Sequence, residues 1–369
     1  MKILQLGKFY PIQGGVEKVM YDLTIGLSRT YQDVWCDMMC VAATPREFKQ
    51  VLNDRSNLYS CRLNKKLFST MLSVDLVNKL RQYCKEYDII HIHHPDPMAT
   101  LALILSGYKG KVVLHWHSDI LKQKLLLKFY RPLQTWLINR ADVIIGTTPK
   151  YLAESPHLLQ FNKRKYALPI GIERIEKKGA EKIKSVYPGK KIIFTLGRLV
   201  EYKGYKYLIQ AAKYLPKECV ILIGGSGPLR DELQSLIDDN NLTDKVKLLG
   251  RISDEDLPSY YSACDLFALS SIWKTEAFAI VQIEAMSCGK PIVATKIPES
   301  GVSWVNKHGV SGLNVEPENS KELANAINEI LSSSELYQKY SDGALNRFEN
   351  NFTISSMIES CRKIYDSII

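Results

Sequence analysis

Residues 220–239 read VILIGGSGPLRDELQSLIDD, and in this segment a short apolar run, a glycine-rich turn and a helical pattern follow one another. The run 220–223 is apolar throughout, as in a strand that is buried on both faces. Residues 224–229 form the turn, and residues 229–239 have the spacing of an amphipathic helix. A strand followed at once by a helix indicates the βαβ unit of a parallel sheet.

The same alternation of apolar runs and amphipathic stretches recurs along the chain, with further helices predicted at 16–27, 73–87 and 321–331. Residues 169–190 interrupt it with glycine, proline and many charges, which is typical of a linker. We therefore predict an α/β protein with two Rossmann-like domains whose parallel sheets face each other across a cleft. The predicted ranges are 1–168, a linker at 169–190, 191–345 and a helical tail at 346–369. The predicted strands are 2–6, 34–41, 89–93, 112–115, 143–147, 192–196, 220–223, 246–249, 266–269 and 292–295.

The composition narrows the class of protein. The 369 residues are 46% hydrophobic and 24% charged, which is ordinary for a globular chain. No apolar run approaches the roughly 18–20 residues that span a bilayer, and the apolar part of the N-terminus is too short for a signal peptide. Eight cysteines without a Cys-x-x-Cys pair indicate reduced core cysteines. We therefore expect a cytoplasmic protein and exclude the membrane-spanning and secreted classes.

The positive charge is concentrated in the N-terminal half. Residues 1–180 carry a net charge of +12 and the remainder carries −2. Such asymmetry suggests an anionic partner, either acidic lipid or nucleic acid, although a solvated basic face explains it as well. Segment 120–140 favours lipid, because basic and large apolar residues are interleaved there, and the alternative is a core-facing amphipathic helix. No nucleic-acid-binding signature is present. The expected membrane contacts are Lys122, Lys124, Lys128 and Arg131.

The first predicted domain contains two candidate ligand-binding groups. Gly14 and Gly15 precede a helix, where backbone N–H groups can approach an anion, but an ordinary turn fits equally and the Gly-x-Gly-x-x-Gly fingerprint is missing. Five of the seven histidines fall near two strand ends, namely His91, His93, His94, His115 and His117. A metal site is conceivable, but no ligand set has zinc spacing, so we favour histidines that line the cleft. His117 could hydrogen-bond a sugar hydroxyl or a phosphate oxygen, with a core histidine as the alternative.

The second predicted domain carries cations and carboxylates after its strands. Arg198 and Lys203 stand between two glycines in a loop and suit a diphosphate, unless the loop is merely a surface turn. Glu276 and Glu284 are eight residues apart, so on a continuous helix they share a face about 12 Å long with Ile280 between them. That length fits the distance from a hexose to a ribose in a sugar nucleotide, and carboxylates are natural acceptors for the hydroxyls of both. The glycine turn at 224–229 is compatible with a nucleotide or with a simple tight turn.

Taken together, these residues resemble the retaining glycosyltransferases of family 4, which have the GT-B fold with a C-terminal helix that crosses back to the N-terminal domain. The resemblance spans nearly the whole chain, and the surrounding residues look most like bacterial enzymes that build O-antigen or other surface polysaccharide. It rests on GGVE at 14–17, HSD at 117–119, LPIGIE at 168–173, GRLVEYKG at 197–204, GSGP at 225–228, and the Glu-x7-Glu motif at 276–284, continued by EAMSCGKPIVAT.

The resemblance implies roles for individual residues. It assigns Arg198 and Lys203 to the diphosphate and Glu284 to the ribose. It assigns Glu276 and His117 to the donor hexose, and with Arg198 and Lys203 these two form the expected catalytic set. The remaining expected donor contacts are Gly15, Arg251, Ile252, Ala277, Phe278, Ala279 and Ile280. The family usually has glycine where Ala279 stands, so its methyl group is expected to tighten the approach of the backbone to the sugar phosphate.

The implied reaction moves a hexose, with retention, from a nucleoside-diphosphate sugar to a lipid-linked glycan at the inner face of the cytoplasmic membrane. The first domain would bind the acceptor and the second the donor, weakly favoured as GDP-mannose or GDP-fucose. No metal or other cofactor is expected, since cations and helix N-termini would meet the diphosphate charge. A nucleotide-sugar 2-epimerase of the same fold and a non-catalytic binding subunit remain open. Because Lys203 and Glu276 would touch donor and not core, we expect their alanine variants to fold.

Overall fold

The computed structural model describes residues 1–12, 14–43, 47–67, 70–119 and 124–369, with side chains within the helix at 124–140 from residue 130 onward. The chain divides into two compact units. The first comprises Met1–Gly171 together with Ile354–Ile369, and the second comprises Ile172–Thr353. The predicted boundaries at 168 and 345 lie three and eight residues from these limits, because Ile172 already bridges to Thr353 and the helix before Thr353 packs in the second unit. Residues 172–190, most of the predicted linker, belong to the second unit, which therefore begins 19 residues before the predicted start at 191.

An eight-stranded sheet forms the centre of the first unit. Its strands and those of a small hairpin are β1 (Lys2–Tyr10), β2 (Trp35–Ala42), β3 (Phe48–Asn53), β4 (Ser56–Cys61), β5 (Lys65–Leu67), β6 (Thr70–Leu72), β7 (Ile89–His94), β8 (Lys111–Trp116), β9 (Val143–Gly146) and β10 (Arg164–Ala167). The order is β10-β9-β8-β7-β1-β2-β4-β3, and all neighbours pair parallel except β3 with β4. The helices are α1 (Gly15–Thr30), α2 (Val74–Tyr83), α3 (Pro97–Ser106), α4 (Lys124–Arg140) and α5 (Pro149–Glu154).

A six-stranded parallel sheet forms the centre of the second unit. Its strands are β11 (Lys191–Leu196), β12 (Cys219–Gly224), β13 (Val246–Gly250), β14 (Leu266–Leu269), β15 (Ile292–Thr295) and β16 (Gly312–Val315). Its helices are α6 (Ala180–Lys184), α7 (Tyr205–Ala211), α8 (Arg230–Asp239), α9 (Leu257–Ala263), α10 (Ile280–Ser287), α11 (Val302–Val305), α12 (Ser320–Ser332) and α13 (Ser334–Asn351). The order β13-β12-β11-β14-β15-β16 reverses direction between β11 and β14, and ligands bind at such switch points in open α/β sheets.

The ten strands predicted from apolar runs are all present, which confirms the two-domain α/β fold. The prediction missed β3, β4, β10, β16 and the β5–β6 hairpin. Strand β3 has the sequence FKQVLN and pairs antiparallel with β4 at the sheet edge, where most of its residues are exposed. A strand with one partner and little burial needs no continuous apolar run, so this edge gives only a weak sequence signal.

The last helix, α14 (Ile354–Asp366), belongs to the first unit. It lies against α1, where Gly26 leaves room for Ile358: a β-carbon on residue 26 would stand 2.1 Å from Cδ1 of Ile358. At the end of the helix, Arg362 donates two hydrogen bonds of 2.8–2.9 Å to Asp33, and Tyr365 accepts one from Gln5. The tail predicted from the sequence therefore completes the N-terminal unit.

The cysteines and the helices bear on the two classes of protein that the composition excludes, secreted and membrane-spanning proteins. All eight cysteines are free and buried, which confirms the prediction of reduced core cysteines. Among the described residues, helices of the length and apolarity that a bilayer crossing requires are absent.

We predict that Gly26→Ala destabilises the protein by about 1–2 kcal/mol, because overpacking against Ile358 outweighs the gain in helix propensity. Chemical denaturation of the single variant and of Gly26→Ala combined with Ile358→Ala measures the effect. The double variant should lose less stability than the sum of its single variants. Additive losses would contradict the packing of these two residues.

Candidate active site

Backbone contacts between glycine turns shape the carboxyl ends of β11, β12 and β13. Gly197 N–H donates to the carbonyl of Gly224 at 3.0 Å, and Gly225 N–H donates to that of Gly250 at 2.7 Å. Gly225 has a φ of +129°, and a β-carbon there would lie 1.9 Å from the carbonyl oxygen of Gly197. Only glycine permits this approach, so the turn that the sequence marks at 224–229 packs main chain against main chain.

A buried ion pair joins the ends of the two strands at the switch point. Lys203 follows β11 and Glu276 follows β14, and Nζ of the lysine lies 2.5 Å from Oε2 of the glutamate. Both residues are only 8% exposed. Ser271 also donates to Oε2, at 2.9 Å, and Ser270 donates to the carbonyl of Lys203. The two residues that the sequence places 73 positions apart therefore form one charged centre.

The expected continuous helix from 276 to 284 is wrong, because α10 begins at Ile280. Ser300 donates to the carbonyl of Glu276, and Gly301 N–H donates to that of Ala277 at 2.9 Å. These bonds fix residues 276–277 in a loop, and Ala279 then turns the chain into the helix with φ of +61°. A left-handed residue with a β-carbon costs on the order of 1 kcal/mol, so the backbone at Ala279 is strained.

Glu284 lies within the second turn of α10. Tyr261 of α9 donates its hydroxyl to Oε2 of Glu284 at 2.5 Å. Burial raises the pKa of the Glu284 carboxyl, the bond from Tyr261 opposes that rise, and nearby Asp254 adds to it. No sequence pattern points to Tyr261, since an aromatic residue in a short helix is normally explained by core packing. One carboxylate oxygen is fixed by this bond, and the other has no partner among the described residues.

The remaining cations of the expected donor site are exposed. Arg198 follows β11, and its guanidinium makes no hydrogen bond or ion pair within the part of the chain that is described. Arg251 is exposed after β13, and its neighbour Ile252 packs against Gly224 at the end of β12. Burial raises the pKa of the Tyr202 phenol, and the nearby positive charges of Lys203 and Arg198 oppose that rise.

The expected backbone contacts lie on two loops. Ala277, Phe278 and Ala279 form the segment between Glu276 and α10, and Phe278 and Ala279 are buried. In the first unit, Gly15 is exposed as the first residue of α1.

The histidines of the first unit form a buried cluster. His91, His93, His94 and His115 are 0% exposed, so the interpretation that they line a cleft is wrong and these four are core residues. His117, just after β8, is 5% exposed and its Nε2 lies 2.9 Å from Nδ1 of His93. Burial lowers the pKa of each of the five, and that of His115 to about 3.

This cluster is poorly arranged to bind a metal ion. Nitrogen atoms of His91, His93 and His115 lie within 4.8 Å of one another. However, the rings of His91 and His93 are stacked 4.6 Å apart at 4°, so their in-plane lone pairs run side by side and do not converge. Both nitrogens of His93 are also hydrogen-bonded already.

The expected membrane contacts lie on and before α4. Lys122 lies outside the described residues, as do the side chains of Lys124 and Lys128. Helix α4 continues through Pro132, and Arg131 beside it is exposed. Tyr130, Gln134 and Leu137 are buried, so the apolar side of this part of α4 packs on the protein.

Comparison with known proteins agrees with this architecture. Residues 13–172 match the family described as Glycosyltransferase Family 4, and residues 177–347 match Glycosyl transferases group 1. An O-antigen chain mannosyltransferase C of Escherichia coli is 29% identical over 381 residues, which cover 100% of this chain and 99% of the relative. The D-rhamnosyltransferase WbpZ of Pseudomonas aeruginosa is 28% identical over 80% of this chain and 78% of its own.

Solved structures show the same fold. That of Anabaena Alr3699/HepE in complex with UDP matches with a TM-score of 0.78 at 22% identity and covers the whole of both chains. Two Rossmann-like α/β units of this kind define the GT-B fold of glycosyltransferases. The chain belongs to glycosyltransferase family 4, the family of retaining enzymes that its motifs resemble.

The burial of Lys203 and Glu276 contradicts the premise that these side chains touch only the donor. We predict that Lys203→Met or Glu276→Gln alone lowers the free energy of unfolding by about 3–5 kcal/mol, because each leaves an unpaired buried charge. The double variant should lose less than the sum. Urea denaturation measures all three.

The pair Lys274–Glu299, also 2.5 Å long but with side chains 28% and 45% exposed, provides the matched control. Lys274→Met and Glu299→Gln should each cost less than about 1 kcal/mol. Equal losses at both pairs would show that burial adds nothing to the Lys203–Glu276 contact.

Proposed function

We propose that this enzyme transfers a hexosyl residue, of the mannose type, from a nucleoside-diphosphate sugar to a lipid-linked glycan in the synthesis of O-antigen or a related polysaccharide. The buried Lys203–Glu276 pair at the switch point is the observation that carries the proposal, because it places a cation and a hydroxyl acceptor side by side. The name of the Escherichia coli relative, which aligns over its full length, supports the sugar and the pathway.

In the proposed donor site, each charged side chain of the second unit binds one part of the nucleoside-diphosphate sugar. The diphosphate enters beside Arg198, which is unpaired among the described residues, and replaces Glu276 as the partner of Lys203. The released Glu276 carboxylate then accepts a hydrogen bond from a sugar hydroxyl. Glu284, oriented by Tyr261, accepts the ribose hydroxyls with its second oxygen. His117 accepts a hydrogen bond from the hexose.

The proposed reaction proceeds on one face of the sugar. The bond between the anomeric carbon and the β-phosphate oxygen breaks, and the acceptor oxygen bonds to the same carbon with retention. The acceptor proton passes to the departing phosphate, which leaves as nucleoside diphosphate. Arg198 and Lys203 stabilise the charge that develops on that phosphate, and the first-turn N–H groups of α10 add their partial positive charge.

The proposed acceptor side is the basic first unit, residues 1–168 in the range predicted from the sequence. Its excess of positive charge suits an anionic lipid surface, with Lys122, Lys124, Lys128 and Arg131 as the proposed contacts. This assignment places the enzyme at the inner face of the cytoplasmic membrane, where lipid-linked glycans are available.

A turnover assay separates the three functions that the sequence left open. Release of nucleoside diphosphate is measured with GDP-mannose, GDP-fucose or a UDP-sugar, with and without lipid-linked acceptor. We expect release only with acceptor and fastest with GDP-mannose. Altered sugar without release would indicate an epimerase, and binding without turnover would indicate a non-catalytic subunit.

Arg198→Ala tests the donor site without disturbing the core. We expect kcat/KM to fall about 100-fold or more, since one stabilising contact to the developing charge is lost, while thermal stability stays unchanged because the side chain is exposed. Lys206→Ala, an exposed cation on α7, is the matched control and should keep full activity. Equal activity of the two variants would remove Arg198 from the donor site.

Charge reversal tests the membrane assignment. Lys122→Glu, Lys124→Glu and Lys128→Glu together should strongly reduce co-sedimentation with anionic vesicles, because each basic residue near the surface contributes about 1 kcal/mol. The matched control reverses Lys206, Lys213 and Lys217, three exposed lysines of the second unit. Equal binding by both triple variants would exclude the α4 segment as the membrane contact.

A further inference from the structure

A continuous chain of hydrogen bonds runs behind His117 through the core of the first unit. Nε2 of His117 lies 2.9 Å from Nδ1 of His93, and Nε2 of His93 lies 2.8 Å from Oε1 of Gln5. Gln5 donates from Nε2 to the hydroxyl of Tyr365 at 3.0 Å, and that hydroxyl lies 2.6 Å from Nδ1 of His91. Gln5, His91, His93 and Tyr365 are 0% exposed, so this part of the chain is shielded from bulk solvent.

The chemistry of each group fixes the direction of the chain. An amide oxygen only accepts, so Nε2 of His93 carries the hydrogen that points to Gln5. A neutral imidazole carries one N–H, and therefore Nδ1 of His93 is a lone pair that accepts from Nε2 of His117. His117 then has its hydrogen on Nε2 and a lone pair on Nδ1, for which no described residue is a partner.

Two further observations support this state. Burial lowers the pKa of both His93 and His117 well below the ordinary value, and neighbouring His91, His115 and Lys8 lower it further. The His117 ring is also stacked on His115, with centroids 3.9 Å apart at 23°. The ring is therefore neutral and restrained between its neighbours.

We infer that Gln5 and His93 are positioning residues that hold His117 as the Nε2-protonated tautomer. Nδ1 of His117 is then free to accept a hydrogen bond from a hydroxyl of the donor sugar. The inference deepens the proposed function and rests on it, since His117 is the proposed sugar contact. Gln5 selects the tautomer without touching substrate. Tyr365, contributed by the last helix, orients the Gln5 amide.

Nitrogen-15 NMR of the full-length protein, with labelled histidine, tests the tautomer directly. Long-range nitrogen–proton correlation distinguishes a protonated ring nitrogen from a bare one, and His117→Asn identifies the His117 signals. We expect a protonated Nε2 and a bare Nδ1 in the unmodified protein. In Gln5→Leu the two tautomers of His117 should mix. Protonated Nδ1 in the unmodified protein would overturn the inference.

Kinetic measurements distinguish a positioning role of Gln5 from a purely structural one. Gln5→Leu should lower kcat/KM about 3- to 10-fold, the worth of one hydrogen bond. In a His117→Asn background, where an amide oxygen can supply the acceptor at the position of Nδ1, the same Gln5→Leu change should have little effect. Ser60→Ala, which removes a buried hydroxyl without a partner among the described residues, is the control and should keep full activity.

The outcomes distinguish the inference from the function on which it rests. An equal loss from Gln5→Leu in both backgrounds would show a structural role and overturn the inference. Transfer activity that survives His117→Ala undiminished would also overturn it while leaving the proposed transferase intact. If the unmodified protein turns over none of the donors, the proposed function is wrong. The NMR measurement of the His117 tautomer then decides by itself whether Gln5 and His93 position the ring.

Discussion

The contact between the Lys203 ammonium and the Glu276 carboxylate ties the ends of β11 and β14 together at the switch point of the second sheet. Each charge alone would lose several kcal/mol of hydration on burial, so either residue without the other destabilises the fold. The same requirement makes the pair responsive to a ligand, because an anion that satisfies Lys203 can release Glu276. Stability of the empty site and affinity for an anionic donor thus depend on one contact.

Main-chain packing surrounds this charged centre. The turns after β11, β12 and β13 contact one another through backbone atoms, with Gly225 against Gly197. The distances between the turns therefore do not depend on side-chain conformation. On the other side, Ser300 and Gly301 hold the loop before α10, and that anchoring obliges Ala279 to adopt its left-handed conformation. The strain at Ala279 is maintained by its surroundings, as is common where a loop must present backbone to a ligand.

The sequence predicted the strand and helix framework well, because buried parallel strands need continuous apolar runs and therefore leave a clear pattern. It also identified Lys203 and Glu276 as polar residues at strand ends. It could not show that they pair, nor that Gln5 meets His93 and Tyr365, since those contacts join positions tens to hundreds of residues apart. The continuous helix expected over 276–284 was wrong for a similar reason: Ser300 and Gly301, which hold residues 276–277 in a loop, are distant in sequence from that segment.

The return of α14 to the first unit sets an order for biosynthesis. Strand β1 and helix α1 are translated first, yet their partners Tyr365 and Ile358 emerge only after the entire second unit. The second unit is a continuous segment and can complete its fold on the ribosome, whereas the first must wait for the closing helix. The unit made first is therefore finished last, and a nascent chain halted before residue 354 exposes the apolar surface that α14 covers.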